Sequence, residues 1–186
     1  PSALITMSTP ANFEIGIIGS GVVGTRVAAQ LHTLGYRPRI APLRHATDLF
    51  DCNVVVLAHG APHSALAATF VAQGIAVVSV SDNLADVLAL LDIQDRALAR
   101  KVPVIVGAAC SPGMTGLLVN HVTRAFDSID EVHVAVHGTG GPQCARQHHD
   151  SLAGVSIGWH EGEWLQRPAG SGRELCWFPD PVGARD

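Results

Sequence analysis

The stretch of this sequence best suited to hold an anion is Gly19-Ser20-Gly21-Val22-Val23-Gly24. A β-like run containing Phe13, Ile15, Ile17 and Ile18 precedes it, and Val23, Val27, Leu31 and Leu34 follow at helical spacing, so the glycines fall at a strand-to-helix turn. In that setting Gly19 permits the tight turn, Gly21 leaves no Cβ between the backbone and a pyrophosphate, and Gly24 lets the helix lie close on its strand. Free N–H groups at the helix start and the helix dipole both favour negative charge there. The expected chemistry is dinucleotide binding; the alternative is a structural turn in a related fold that has lost its ligand.

Cofactor choice is read about 20 residues past the glycines, where a carboxylate suits the ribose hydroxyls of NAD. That position falls near Pro42, and no Asp or Glu occurs between Glu14 and Asp48. Arg44 follows, with His45 beside it. A guanidinium pairs with a 2′-phosphate, so NADP is the expected cofactor and NAD the less favoured one, unless Arg44 is a solvated surface charge.

Other reactive residues give no assignable catalytic group. Cys110 precedes a helix start, where the dipole can favour a thiolate, but no His or Lys is fixed beside it by sequence, and a small packing residue is the plainer reading. The chain has ten histidines. His133 and His137 share a strand face roughly 13 Å apart, too far for one ion. Cys144 and His148 are one helical turn apart but have no evident second pair, so no metal is expected. His137, His148, His149 and Asp150 are expected toward a substrate cleft, without a stated role.

The elements that must position these residues alternate. Strand-like runs at 13–18, 37–40, 53–58, 75–80 and 102–106 are separated by helical stretches over 22–34, 63–73, 84–100 and 111–122. Leu84, Val87, Leu88, Leu91 and Leu98 are expected to form a buried stripe, and Ser111-Pro112 to open the last helix. The pattern predicts an α/β fold, a doubly wound parallel Rossmann sheet in the order 3-2-1-4-5. Ligands then belong at the carboxyl ends of the strands. Cofactor contacts are expected at Ala58, His59 and Gly60 after the third strand, Ser81 and Asp82 after the fourth, and Ala109 after the fifth.

Residues 1–12 are expected to be a flexible arm, 13–126 the dinucleotide-binding domain, and 127–186 the beginning of a second α+β domain for substrate or dimerisation. In the latter, Glu131 to His137 alternates like a half-exposed strand, Cys144 to Leu152 suits two helical turns, and Trp159 to Trp164 suits a hairpin turning at Gly162.

Composition narrows the classes. Charged residues make up 15% of the chain, below the roughly 25% usual for a soluble domain, which suits a covered sheet and a homo-oligomer interface. A net charge of −4 without a basic cluster excludes electrostatic support for nucleic-acid binding. Residues 52–81 lack charge, but His59, Gly60, Pro62, His63, Gln73 and Gly74 break them into short elements, so no membrane span is expected. Four scattered cysteines without CxxC spacing point to a reducing, cytoplasmic setting.

The chain resembles the N-terminal part of a saccharopine dehydrogenase-like protein. The resemblance rests on the Gly19–Gly24 turn, His59-Gly-Ala-Pro62, Ser81-Asp82, Gly107-Ala-Ala-Cys-Ser-Pro-Gly113 and Trp177-Phe-Pro-Asp-Pro-Val-Gly183. It implies an NAD(P)-dependent oxidoreductase of two domains acting on an amino-acid-derived imine, amine or related carbonyl compound. It also implies that this stretch, lacking most of the second domain, is inactive by itself. The glucose-fructose oxidoreductase type would carry Glu-Lys-Pro after the fourth strand; Ser79-Val-Ser-Asp-Asn83 stands there instead. A non-catalytic NAD(P)-binding or redox-sensing protein is the other class.

Overall fold

The computed structural model describes residues 13–138, 140–171 and 174–185; the expected N-terminal arm, 1–12, lies outside the described residues. The chain forms two compact units, Pro1–Ser128 and Ile129–Asp186.

In the first unit five parallel strands alternate with helices. They are β1 (Ile15–Ile18), β2 (Arg39–Ala41), β3 (Val54–Leu57), β4 (Ala76–Ser79) and β5 (Val104–Ile105). The helices are α1 (Val22–Thr33), α2 (Ser64–Ala72), α3 (Leu84–Leu91), α4 (Gln94–Arg100) and α5 (Met114–Thr123), with 3-10 turns over Leu43–Leu49. This is the expected Rossmann-like α/β sheet, but its order is β2-β1-β3-β4-β5 rather than 3-2-1-4-5. β3 pairs with β1 along Ile15↔Val54 to Ile18↔Leu57, on the side away from β2. The physical reason lies in the two sequences. Val-Val-Val-Leu of β3 is apolar on both faces and needs a neighbour on each side, whereas β2 is short, exposes Ile40 and suits an edge.

The core lies where α2 and the α3–α4 pair pack on the sheet. Phe70, Ile18, Leu57, Val55, Val71 and Val77 are completely buried there, and Phe50 meets Phe70 edge-on at 5.5 Å. Burial of one such side chain stabilises by about 1.5–3 kcal/mol.

Several expected faces differ. Residues 84–100 form two helices, and Leu84, Leu88, Leu91 and Leu98 are exposed. The inward positions are Asp86, Leu90, Ile93 and Ala97, because the Asp86 carboxylate is held at the start of α2 and turns α3 with it. Phe13, Val23 and Leu34 are likewise exposed. Ser111-Pro112 does not open α5. Ala109 pairs with Gly113, Ala109 N–H donates to Pro112 O and Met114 N–H to Ala109 O, so the Ser-Pro segment is folded into a closed loop and the helix begins at Met114.

In the second unit α6 (Pro142–Ser151) covers the expected helical turns. β6 (Val155–His160) and β7 (Glu163–Pro168) form the expected hairpin, in which Glu161 and Gly162 take φ of 48° and 85°. A second hairpin joins β8 (Cys176–Phe178) to β9 (Gly183–Arg185). Glu131–His137 is not a strand: it has no ladder partner among the described residues, and Val132, Val134 and Val136 are exposed.

Candidate functional site

The glycine turn joins the carboxyl end of β1 to α1, and its three glycines have different physical reasons. Gly19 has φ +115° and packs against the ends of two strands. Its N–H donates to Ala41 O at 3.1 Å, and a Cβ there would meet Ala58 O at 2.5 Å. Gly24 is buried, and a Cβ on it would overlap the Gly19 carbonyl oxygen. Gly21, the N-cap of α1, has an ordinary φ of −79°, and a Cβ would meet nothing within 4 Å. Gly21 is therefore demanded by no neighbour in the fold. No side chain caps α1 and no acidic residue stands in its first turn, and Ser20, Gly21, Val22 and Val23 are all exposed, with open space where a Gly21 Cβ would be. That is the space a pyrophosphate would fill, and the residues present fit the group.

Arg44 lies just past the end of β2, exposed, with no ion pair or side-chain hydrogen bond among the described residues. The neighbouring Asp48 carboxylate is 3.4 Å from His45 Nδ1. Arg39, at the opposite end of β2, is engaged through its two terminal nitrogens, while its buried Nε has no hydrogen-bond partner among the described residues. It pairs with Asp51, lies 3.9 Å from Glu14 and donates to Cys52 Sγ at 3.1 Å and Asp48 O at 3.3 Å. The hydrogen bond to Arg39 holds the Asp51 carboxyl below its usual range, while burial pushes the Cys52 thiol up.

Ala58, His59 and Gly60 are half-buried at the end of β3, against the glycine turn. His59 Nδ1 lies 2.7 Å from Gly60 O. Burial, and then His63, push the His59 pKa below the ordinary histidine value. At the end of β4, Ser81 is buried and Asp82 exposed. Ala109 is half-buried in the loop after β5, which is tied to β4 by Ala108 N–H donating to Ser79 O at 2.9 Å. Cys110 is exposed in the same loop.

Sequence reasoning missed the polar cluster that fixes this edge. His63 is fully buried at the head of α2, with Nδ1 2.8 Å from Ser79 Oγ and Nε2 2.9 Å from His59 O. Asp86, also buried, accepts from His63 N–H at 2.9 and 2.8 Å and from Ser64 N–H at 2.9 Å. Burial works to raise the Asp86 carboxyl, but the Ser81 hydroxyl and the two backbone N–H groups outweigh it and hold the pKa below the usual range. The signal present was Asp86 within an apolar helix next to Asn83, which reads as an ordinary capping charge. Asn83 itself caps α3, accepting from Asp86 N–H at 3.1 Å.

No helix among the described residues is long and apolar enough to cross a membrane. No family model matches the chain, and no curated protein matches it. Solved structures do. The WlbA dehydrogenase from Chromobactrium violaceum, in complex with NADH and UDP-GlcNAcA, matches with a TM-score of 0.46 and 15% identity, over 63% of this chain and 41% of that one. An NAD binding oxidoreductase from Klebsiella pneumoniae gives 0.42 and 18%, over 62% and 39%, and Staphylococcus aureus homoserine dehydrogenase 0.42 and 16%, over 52% and 32%. The chain thus spans about a third to two fifths of the length of the solved structures to which it is similar.

Proposed function

We propose that the first unit binds a nicotinamide dinucleotide at the carboxyl edge of its sheet, NADP in preference to NAD, as the cofactor part of an oxidoreductase. The observation that carries this is the open, uncapped start of α1, at a glycine whose missing side chain no neighbour requires. Gly19 to Gly24 would cradle the pyrophosphate, and Ala58, His59, Gly60, Ser81, Asp82 and Ala109 would line the remaining strand ends. When bound, the cofactor would supply hydride transfer, while the protein holds and orients it. The nicotinamide and the substrate class, an amino-acid-derived imine, amine or related carbonyl compound, come from the resemblance to saccharopine dehydrogenase-like proteins. Exposed Leu84, Leu88 and Leu91 suit the expected self-association, which sedimentation tests, and the cytoplasmic setting remains part of the same reading.

One observation favours a second reading, that of a non-catalytic nucleotide-binding or redox-sensing protein. His63 and Asp86, buried acid-base groups near the site, are committed to hydrogen bonds that hold the fold. Turnover of the reduced cofactor with candidate substrates separates the two readings.

Cofactor choice is tested by competitive titration of NADP and NAD. Arg44→Ala is expected to weaken NADP by about 1.5–3 kcal/mol, the range for a hydrogen bond to a charged group, and to leave NAD nearly unchanged. Equal losses, or an initial preference for NAD, would remove Arg44 from the site.

A further inference from the structure

The imidazoles of His59 and His63 are packed against each other, ring centroids 4.3 Å apart and planes tilted by 54°. Hydrogen bonding fixes the proton on each neutral ring. The Gly60 carbonyl can only accept, so His59 Nδ1 carries the hydrogen and Nε2 is a bare acceptor. That Nε2 is buried and has no hydrogen-bond partner among the described residues. His63 donates from Nε2 to the His59 carbonyl and accepts at Nδ1 from the Ser79 hydroxyl, so neither of its nitrogens is left to serve His59. The charged or titratable groups that bear on His59 are His63, at the head of α2, and Asp86, from α3. The Asp86 oxygens are already taken by the N–H groups of His63 and Ser64.

We infer that residues 59–62 form a pH-sensitive latch, closed while His59 is neutral and released when it takes up a proton. A proton on Nε2 would create a buried N–H without an acceptor and set a cation against a second imidazole in a poorly hydrated site. The attraction of Asp86 opposes this but is outweighed by burial and His63. Release reaches the glycine turn because Gly19 packs directly on Ala58 O and His59 N.

The sign follows from the depressed folded-state pKa. The latch contributes its full stability above the unfolded histidine value of about 6.5, and loses it as pH falls from there to the folded value. Within that window the two states differ by one proton, so the unfolding constant attributable to His59 rises up to about tenfold per pH unit.

The test is thermal unfolding without nucleotide, from about pH 8 down to 5, for the wild type, His59→Gln and His59→Phe, together with NMR titration of the His59 ring in the wild type. The wild type is expected to lose stability through the window relative to both variants, and the ring to titrate below about 6.5. Parallel stability curves, or a ring that titrates at or above that value, would overturn the latch; if neither variant folds, the wild-type titration decides alone. A further arm rests on the proposed cofactor reading: NADP affinity should fall more steeply through the same window in the wild type than in His59→Gln, the slope common to both belonging to the 2′-phosphate, which itself takes up a proton at about pH 6. Failure of that arm with the thermal result intact strikes the cofactor reading and leaves the latch standing.

Discussion

Helices α1 and α2 both begin at the carboxyl edge of the sheet, after the adjacent strands β1 and β3, yet their first turns are treated in opposite ways. At α2 the fold supplies its own anion: the Asp86 carboxylate reaches across from α3 and accepts from the N–H groups of His63 and Ser64. At α1 no side chain caps, no acidic residue stands in the first turn, and the N-cap is a glycine with open space where its Cβ would be. A helix start needs acceptors and favours negative charge. The α2 terminus is therefore filled from within the fold, and the α1 terminus is not. α5 also lacks a side-chain cap, but its N-cap glycine, Gly113, has φ +126° and no room for a Cβ, and its approach is the closed Ala109–Gly113 loop. The contrast separates a glycine that the fold demands, Gly24, from one that it does not, Gly21.

Three substitutions sharpen or break that contrast, in falling order of their effect on stability. Gly24→Ala forces a methyl group onto the Gly19 carbonyl oxygen, and chemical denaturation is expected to show a loss of about 3 kcal/mol, the upper part of the usual overpacking range. An unchanged midpoint would mean that α1 can lift off the turn freely.

Asp86→Ala opens the filled terminus and leaves buried N–H groups unpaired, which is expected to destabilise by about 2 kcal/mol. Because the folded Asp86 carboxyl is held below its ordinary range, its contribution is present above an unfolded value of about 3.9 and lost as pH falls from there through the folded value. The gap between wild type and variant should accordingly narrow on acidification below about pH 4; a gap independent of pH would show that the charge on Asp86 does not matter.

Gly21→Val has the smallest expected effect on folding, about 1 kcal/mol for a poor N-cap. Its ordinary φ means the side chain strains nothing, contrary to the usual expectation for a turn glycine. Calorimetry should nevertheless find nucleotide binding abolished. Retained affinity in the folded variant would break the comparison at its open end.

What was legible in the sequence was what is local. The strand-turn-helix around Gly19–Gly24, the alternation of strands and helices, and the hairpin at Gly162 each follow from residue types within a few positions of one another. So did the position of Arg44, since one short strand fixes how far past the glycines the chain returns to the edge. Strand order was not legible, because 3-2-1-4-5 and 2-1-3-4-5 contain the same elements; the doubly apolar β3 takes the central place next to β1 only when the whole sheet is assembled. The exposed leucines of α3 mark the same limit. Periodicity alone assigned Leu84, Leu88 and Leu91 to the core, whereas the fold turned Asp86 and Leu90 inward. Sequence by itself determined that a bare glycine turn begins α1. Only tertiary structure decided that its neighbour's terminus is filled, because the carboxylate that fills it lies more than twenty residues along the chain and reads as an ordinary capping charge of its own helix until α2 and α3 pack together.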